Sequence, residues 1–138
     1  MRTDTRLARM LHVLVHMHLL GGRETSETIA LMLNTNPVVV RRTMAGLREH
    51  GIVQSEGGSR GGWTLAKTPE KVTGRDVLCA LSDQSIFAIG LSTDHPKCPV
   101  ETAVNAVLSN ALQRAQDQLL DDLGNMTLAD LAAQFKAK

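Results

Sequence analysis

Aromatic residues are nearly missing from this 138-residue chain, which has one Trp, two Phe and no Tyr. Its core must be built from Leu, Val, Ile, Ala and Met, a composition that, with the periodicity below, favours helices over a β-sandwich. Cysteine is scarce as well. Cys79 and Cys98 are too few for a disulfide framework, as suits a reducing compartment. No apolar run approaches the roughly 20 residues that span a bilayer. The N-terminus, Met-Arg-Thr-Asp-Thr-Arg, leads into an amphipathic stretch interrupted by three His rather than a signal-peptide core. A cytoplasmic protein with no membrane contact is expected. The chain also lacks a nucleophile–base pair, paired carboxylates at useful spacing and a cofactor motif, so no enzyme is expected. The Gly-rich stretch Glu56–Gly62 is followed by neither a Lys-Ser/Thr pair nor a helix, which excludes a phosphate-binding P-loop.

Hydrophobic residues make up 43% of the chain, enough for a folded core. The net charge is +1, but it is unevenly spread. Residues 1–65 carry eight basic and five acidic groups, and residues 66–138 carry seven and nine. All eight basic groups of the first part are Arg, whereas five of the seven in the second are Lys. Arg presents a planar fork suited to phosphate and guanine.

Apolar residues recur at helical spacing over about 4–20 (Leu7, Met10, Leu11, Leu14, Met17), and Gly21-Gly22 ends that helix. Thr25 or Ser26 caps a second helix whose apolar face is Ile29, Ala30, Met32 and Leu33. After the turn Asn34-Thr35, Asn36-Pro37 opens a third, with Asn as cap and Pro at the first helical position. Two short apolar runs, Ile52–Ser55 and Trp63–Ala66, flank the Gly-rich stretch and predict a β-hairpin. A fourth helix is expected over about 73–82, capped by Thr73, with Cys79 buried as a structural thiol beside Leu78, Ala80 and Leu81. Residues 84–99 read as irregular with a short strand at Ile86–Ile89. A long helix over about 99–123 follows, and Thr127 caps a last one, Leu128 to Phe135. The predicted class is mainly α with a small β-hairpin wing. It divides into a winged helix-turn-helix domain (1–82), a connecting or sensor loop (83–98) and a dimerisation helix with a C-terminal helix (99–138).

The order helix, helix, short turn, helix, hairpin suits DNA. A helix fits the major groove, and its N-terminal residues reach base edges first. Val38 and Val39 place methyl groups there for thymine methyls, and the positive end of the helix favours phosphate. Arg41 and Arg42 lie one turn on, Arg48 lies near the end of the helix, and Ser59, Arg60 and Gly61 sit at the hairpin tip, where a wing meets phosphates or the minor groove. The segments Val38–Val53 and Ser59–Ala66 resemble the Rrf (Rrf-two type) family of winged helix-turn-helix transcriptional regulators. Its members include an iron–sulfur cluster regulator, a nitric-oxide sensor and a cysteine-metabolism regulator. Thr73–Leu78, the helix from Cys98 to Leu123 and Met126–Leu131 extend the resemblance over nearly the whole chain. The resemblance implies a homodimer that acts as a repressor on a partly palindromic operator of double-stranded DNA, with Ser26, Pro37, Arg41, Arg42, Ser59 and Arg60 at or near the duplex. The DNA-binding candidates are therefore Ser26, Asn36, Pro37, Val38, Val39, Arg41, Arg42, Arg48, Ser59, Arg60 and Gly61. The dimerisation candidates are Val100, Val104, Val107, Leu108, Ala111, Leu112, Ala115 and Leu119, in a stripe that runs on to Leu123.

Cluster-binding members of that family carry three closely spaced Cys before the long helix. This chain has only Cys98 there, so no cofactor is expected and an iron–sulfur cluster is not supported by the cysteine count. Cys98 is a candidate sensor, because a helix N-terminus, Lys97 and His95 all favour a thiolate. His12 and His16, four residues apart, could share a metal but lack a third ligand of clear spacing. Two alternatives follow. One is a redox- or metal/iron–sulfur-responsive regulator switched through Cys98. The other is a protein-interaction module that keeps the winged fold without binding DNA.

Overall fold

A computed structural model describes residues 4–57, 61–81 and 86–136. Helix α1 (Arg6–Leu20) ends where Gly21 turns left-handed at φ +70° and returns its N–H to the Met17 carbonyl. Helix α2 (Ser26–Leu33) is capped by Thr25, whose hydroxyl accepts the Thr28 N–H at 3.1 Å. The turn into α3 (Pro37–Glu49) places Asn34 at φ 54°, a conformation Asn tolerates better than most residues. The Arg9 guanidinium donates to the Leu33 carbonyl at the end of α2, which ties α1 to that turn.

Strands β1 (Val53–Glu56) and β2 (Gly62–Leu65) form an antiparallel pair in which Ser55 faces Trp63. The hairpin has a third partner. Glu24, just before α2, exchanges both backbone hydrogen bonds with Trp63, at 2.8 and 3.0 Å. Gly62 lies so close to this lead-in that a Cβ there would stand 2.9 Å from the Glu24 carbonyl oxygen and 2.7 Å from Arg23 Cγ. Close backbone approach, rather than an unusual φ, makes glycine the residue that fits.

A 3₁₀ turn (Pro69–Lys71) leads to α4 (Gly74–Ala80), then the long α5 (Pro99–Gly124) and α6 (Leu128–Lys136). Thr73 with Asp76 and Thr127 with Asp130 form reciprocal capping boxes at the starts of α4 and α6. These two starts are joined. Gly74 donates to the Met126 carbonyl at 2.8 Å and Leu128 to the Val72 carbonyl at 2.9 Å. One core holds Val13, Leu14 and Met17 of α1, Ile29 and Leu33 of α2, Val40, Met44 and Leu47 of α3, Trp63, Val77 and, from α6, Leu128. The segment after α5 therefore packs on the winged-helix body.

Three sequence expectations are corrected. Ile86–Ile89 is not a strand: the segment is irregular and pairs with neither strand of the hairpin, the only sheet among the described residues. Cys79 is exposed, not buried. Val77 and Leu81, four residues apart, take the inward face of α4, so residue 79 falls on the opposite side. Leu123 does not extend the exposed stripe of α5. It is buried against the body, within reach of the Gly74 position.

Candidate nucleic-acid interface

The start of α3 is built for presentation. Asn36 accepts the Val39 N–H on its side-chain oxygen at 3.1 Å, Pro37 takes the first helical position, and the first turn carries no acidic residue to offset its positive end. Val40, Met44 and Leu47 point into the core, which rotates the opposite face of the helix to solvent. There Val38 and Val39 are 58% and 43% exposed, large values for branched apolar side chains. Arg41 and Arg42 are exposed on the following turn. Val38 and Arg42, four apart, share one side of the helix. Thr43 turns its hydroxyl back onto the Val39 carbonyl at 3.0 Å.

The flank of the hairpin lies beside this helix. A groove of about 320 Å³ runs between them, with Ser26, Glu27 and Arg41 on one wall and Ser55, Glu56 and Trp63 on the other. Its charges are arranged in pairs. Arg41 Nη1 stands 3.9 Å from Glu27 Oε1, and Arg23 Nη1 stands 2.9 Å from Glu56 Oε2. Arg42 makes no ion pair among the described residues and leaves an uncompensated cation next to Val38. Gly61 is half-buried at the same groove.

Two candidates take places that sequence does not suggest. Ser26 is buried, and its hydroxyl oxygen accepts the Trp63 indole N–H at 3.0 Å, so it fixes the hairpin root from below. Arg48, exposed at the end of α3, lies 5.8 Å over the Trp63 ring and donates to Ser55 Oγ at 3.4 Å. Ser59 and Arg60 lie outside the described residues. Glu27, Ser55 and Trp63 were not among the candidates. The one available signal was Trp63, the sole Trp in a chain nearly devoid of aromatics.

A family model described as an iron-dependent transcriptional regulator, Rrf2, matches residues 3–134. The chain belongs to the Rrf2 family. YwnA of Bacillus subtilis (strain 168), named as an HTH-type transcriptional regulator, is 32% identical over 129 residues, 93% of this chain and 95% of that protein. A solved structure described as a DNA binding protein is 29% identical and superposes with a TM-score of 0.73 over 91% of this chain and 97% of its own. CymR of B. subtilis, a global cysteine regulator, shares the fold at 21% identity, with a TM-score of 0.69 over 97% of this chain and 98% of its own. The regulator is thus a winged-helix, DNA-binding transcriptional regulator and not an enzyme.

The iron in the family's description can be tested against the donors present. Iron–sulfur clusters are held chiefly by Cys thiolates, usually four. This regulator has two, one on α4 and one before α5. His12 and His16 stack edge to face at 4.7 Å on α1, but among the described residues no three metal-ligating side chains converge. One chain's donor set does not fit a cysteine-held cluster. No described helix is long and apolar enough to cross a membrane.

Proposed function

We propose that this regulator is a cytoplasmic homodimer that represses transcription from a partly palindromic operator. In this reading residues 1–82 form the reading domain, 83–98 the connecting loop, and 99–138 the dimerisation helix with its return helix. The observation that carries it is the exposed start of α3, where Asn36, Pro37, Val38, Val39, Arg41 and Arg42 occupy one accessible surface over a core-facing Val40. Val38 and Val39 meet base edges, Arg41 and Arg42 meet base or phosphate, and Ser59, Arg60 and Gly61 at the hairpin tip meet the adjacent backbone. Ser26 and Arg48 support the hairpin that delivers that tip.

The dimer reading rests on α5. Val100, Val104 and Val107 are 70%, 55% and 72% exposed, and they follow one another at helical spacing along one face. Leu108, Leu112 and Leu119 are half-buried, and Ala111 and Ala115 are exposed between them. Covering such a stripe with the same helix of a second copy stabilises by roughly 1.5–3 kcal/mol for each large side chain buried. A two-fold pair presents two reading helices about one helical turn of DNA apart. Selection of bound fragments from genomic DNA is the test. Recovery of an inverted repeat with such half-site spacing is expected, and enrichment of no common sequence would refute the reading.

A redox reading has one observation in its favour. Cys98 sits half-buried at the N-cap position of α5 beside an open hollow of about 510 Å³ formed by Asp94–Cys98. This loop is fastened to α5. The Glu101 carboxylate accepts from the His95 N–H at 2.8 Å and from the Ser92 hydroxyl at 3.0 Å, and Asn105 pairs with the Ser92 backbone. A change at Cys98 therefore reaches the dimerisation helix directly. Mild peroxide is expected to modify Cys98 and weaken operator binding, and Cys98→Ser is expected to abolish the response. Unmodified Cys98 by mass spectrometry ends this reading.

A further inference from the structure

The hairpin of this protein is only two strands, four residues each, and such a hairpin is marginal by itself in water. Its orientation must be set by what touches it. At the root, Glu24 pairs with the Trp63 backbone and Ser26 takes the indole N–H. Arg23 pairs with Glu56 at the end of β1, and from α3 one long side chain reaches across both strands. The Arg48 guanidinium carbon lies 5.8 Å over the Trp63 ring, while its Nη1 donates to Ser55 at 3.4 Å. Ser55 and Trp63 are cross-strand partners, so a single guanidinium spans β1 and β2 at one rung. Trp63 is thereby held between the start of α2 and the end of α3, the two helices of the helix-turn-helix unit.

We propose that Arg48 is a wing-positioning residue: through Trp63 and Ser55 it sets the angle of the hairpin against α3, and it governs DNA affinity through the hairpin rather than by touching a phosphate. The proposal rests on the reading of the hairpin as a DNA contact. The chemistry requires Arg in particular. A planar guanidinium can lie over an aromatic face and still donate in its own plane, whereas a lysine ammonium is a point charge that cannot do both. A phosphate contact, by contrast, tolerates Lys well.

The test uses the full chain and a duplex carrying the selected operator. In the DNA-free protein, Arg48→Lys and Arg48→Ala should each raise acrylamide quenching of Trp63 emission, which is unambiguous because Trp63 is the only Trp. Each should weaken operator binding about five- to tenfold, the scale of one partly desolvated cation–π contact. On an Arg60→Ala background the further loss should shrink below about twofold, because costs that act through one element do not add. Full affinity in Arg48→Lys, or losses from Arg48→Ala and Arg60→Ala that multiply, would assign Arg48 to a phosphate and overturn the proposal. Unchanged Trp63 quenching would overturn it at the first step. If Arg60→Ala alone leaves affinity intact, the hairpin is not a DNA contact and the link to affinity falls with that reading. Trp63 quenching still decides whether Arg48 holds the wing.

Discussion

Arg42 and Asn36 occupy neighbouring turns of α3 and do different work. Arg42 is exposed, shares a helix side with Val38 and is not neutralised by any described acidic group, so its charge is available to DNA. Arg42→Ala is expected to weaken binding to specific and non-specific duplexes alike. It should also make the slope of log affinity against log salt shallower by about one unit, the signature of one lost phosphate contact. A titration at several salt concentrations checks this, and loss confined to one operator position would instead mark Arg42 as a base reader. Asn36 contributes geometry. Its side chain satisfies the Val39 N–H, and Asn36→Ala is expected to cost about 1 kcal/mol of stability by chemical denaturation. Arg41 is less free than Arg42 because Glu27 stands 3.9 Å from it on the same wall of the groove. That pairing was not legible in the sequence, since residues 27 and 41 meet only through the packing of α2 on α3.

At the scale of elements, the starts of α2, α3, α4 and α6 were legible because each has a local chemical cause. Thr25, Asn36-Pro37, Thr73 and Thr127 all cap where their side chains suggest, and Gly21 ends α1. Features that depend on distant partners were not legible. Ile86–Ile89 has strand composition but pairs with no strand, and Cys79 has apolar neighbours in sequence while standing on the outward side of α4. The role of Ser26 was hidden for the same reason, because its partner Trp63 lies 37 residues away. The stripe on α5 was readable from spacing alone, and in the proposed dimer a second copy covers it. Val104→Glu combined with Val107→Glu is expected to convert dimer to monomer in analytical ultracentrifugation while leaving the helical circular dichroism intact. An unchanged sedimentation coefficient would remove α5 from the interface.

For the whole molecule, the return of α6 to the body makes residues near the end of the chain part of the core that supports α3. Leu128 is fully buried in the cluster that includes Val77 and Met44. Leu128→Ala is expected to lower unfolding free energy by about 2–5 kcal/mol, through lost burial and the cavity left behind. The loss should appear in one cooperative transition, because the core is continuous. Two separate transitions would show that α6 is an independent unit.

The stitch between Val72–Gly74 and Met126–Leu128 grips α5 at its C-terminal end, where Leu123 is seated. The other end, about 39 Å away at 1.5 Å per residue, carries Cys98 and the loop fastened by Glu101. The long helix is therefore a lever whose fulcrum is clamped into the block bearing α3. In the proposed two-fold pair, a small tilt applied near Cys98 is delivered to both reading heads as rigid rotation, with no need for either head to deform.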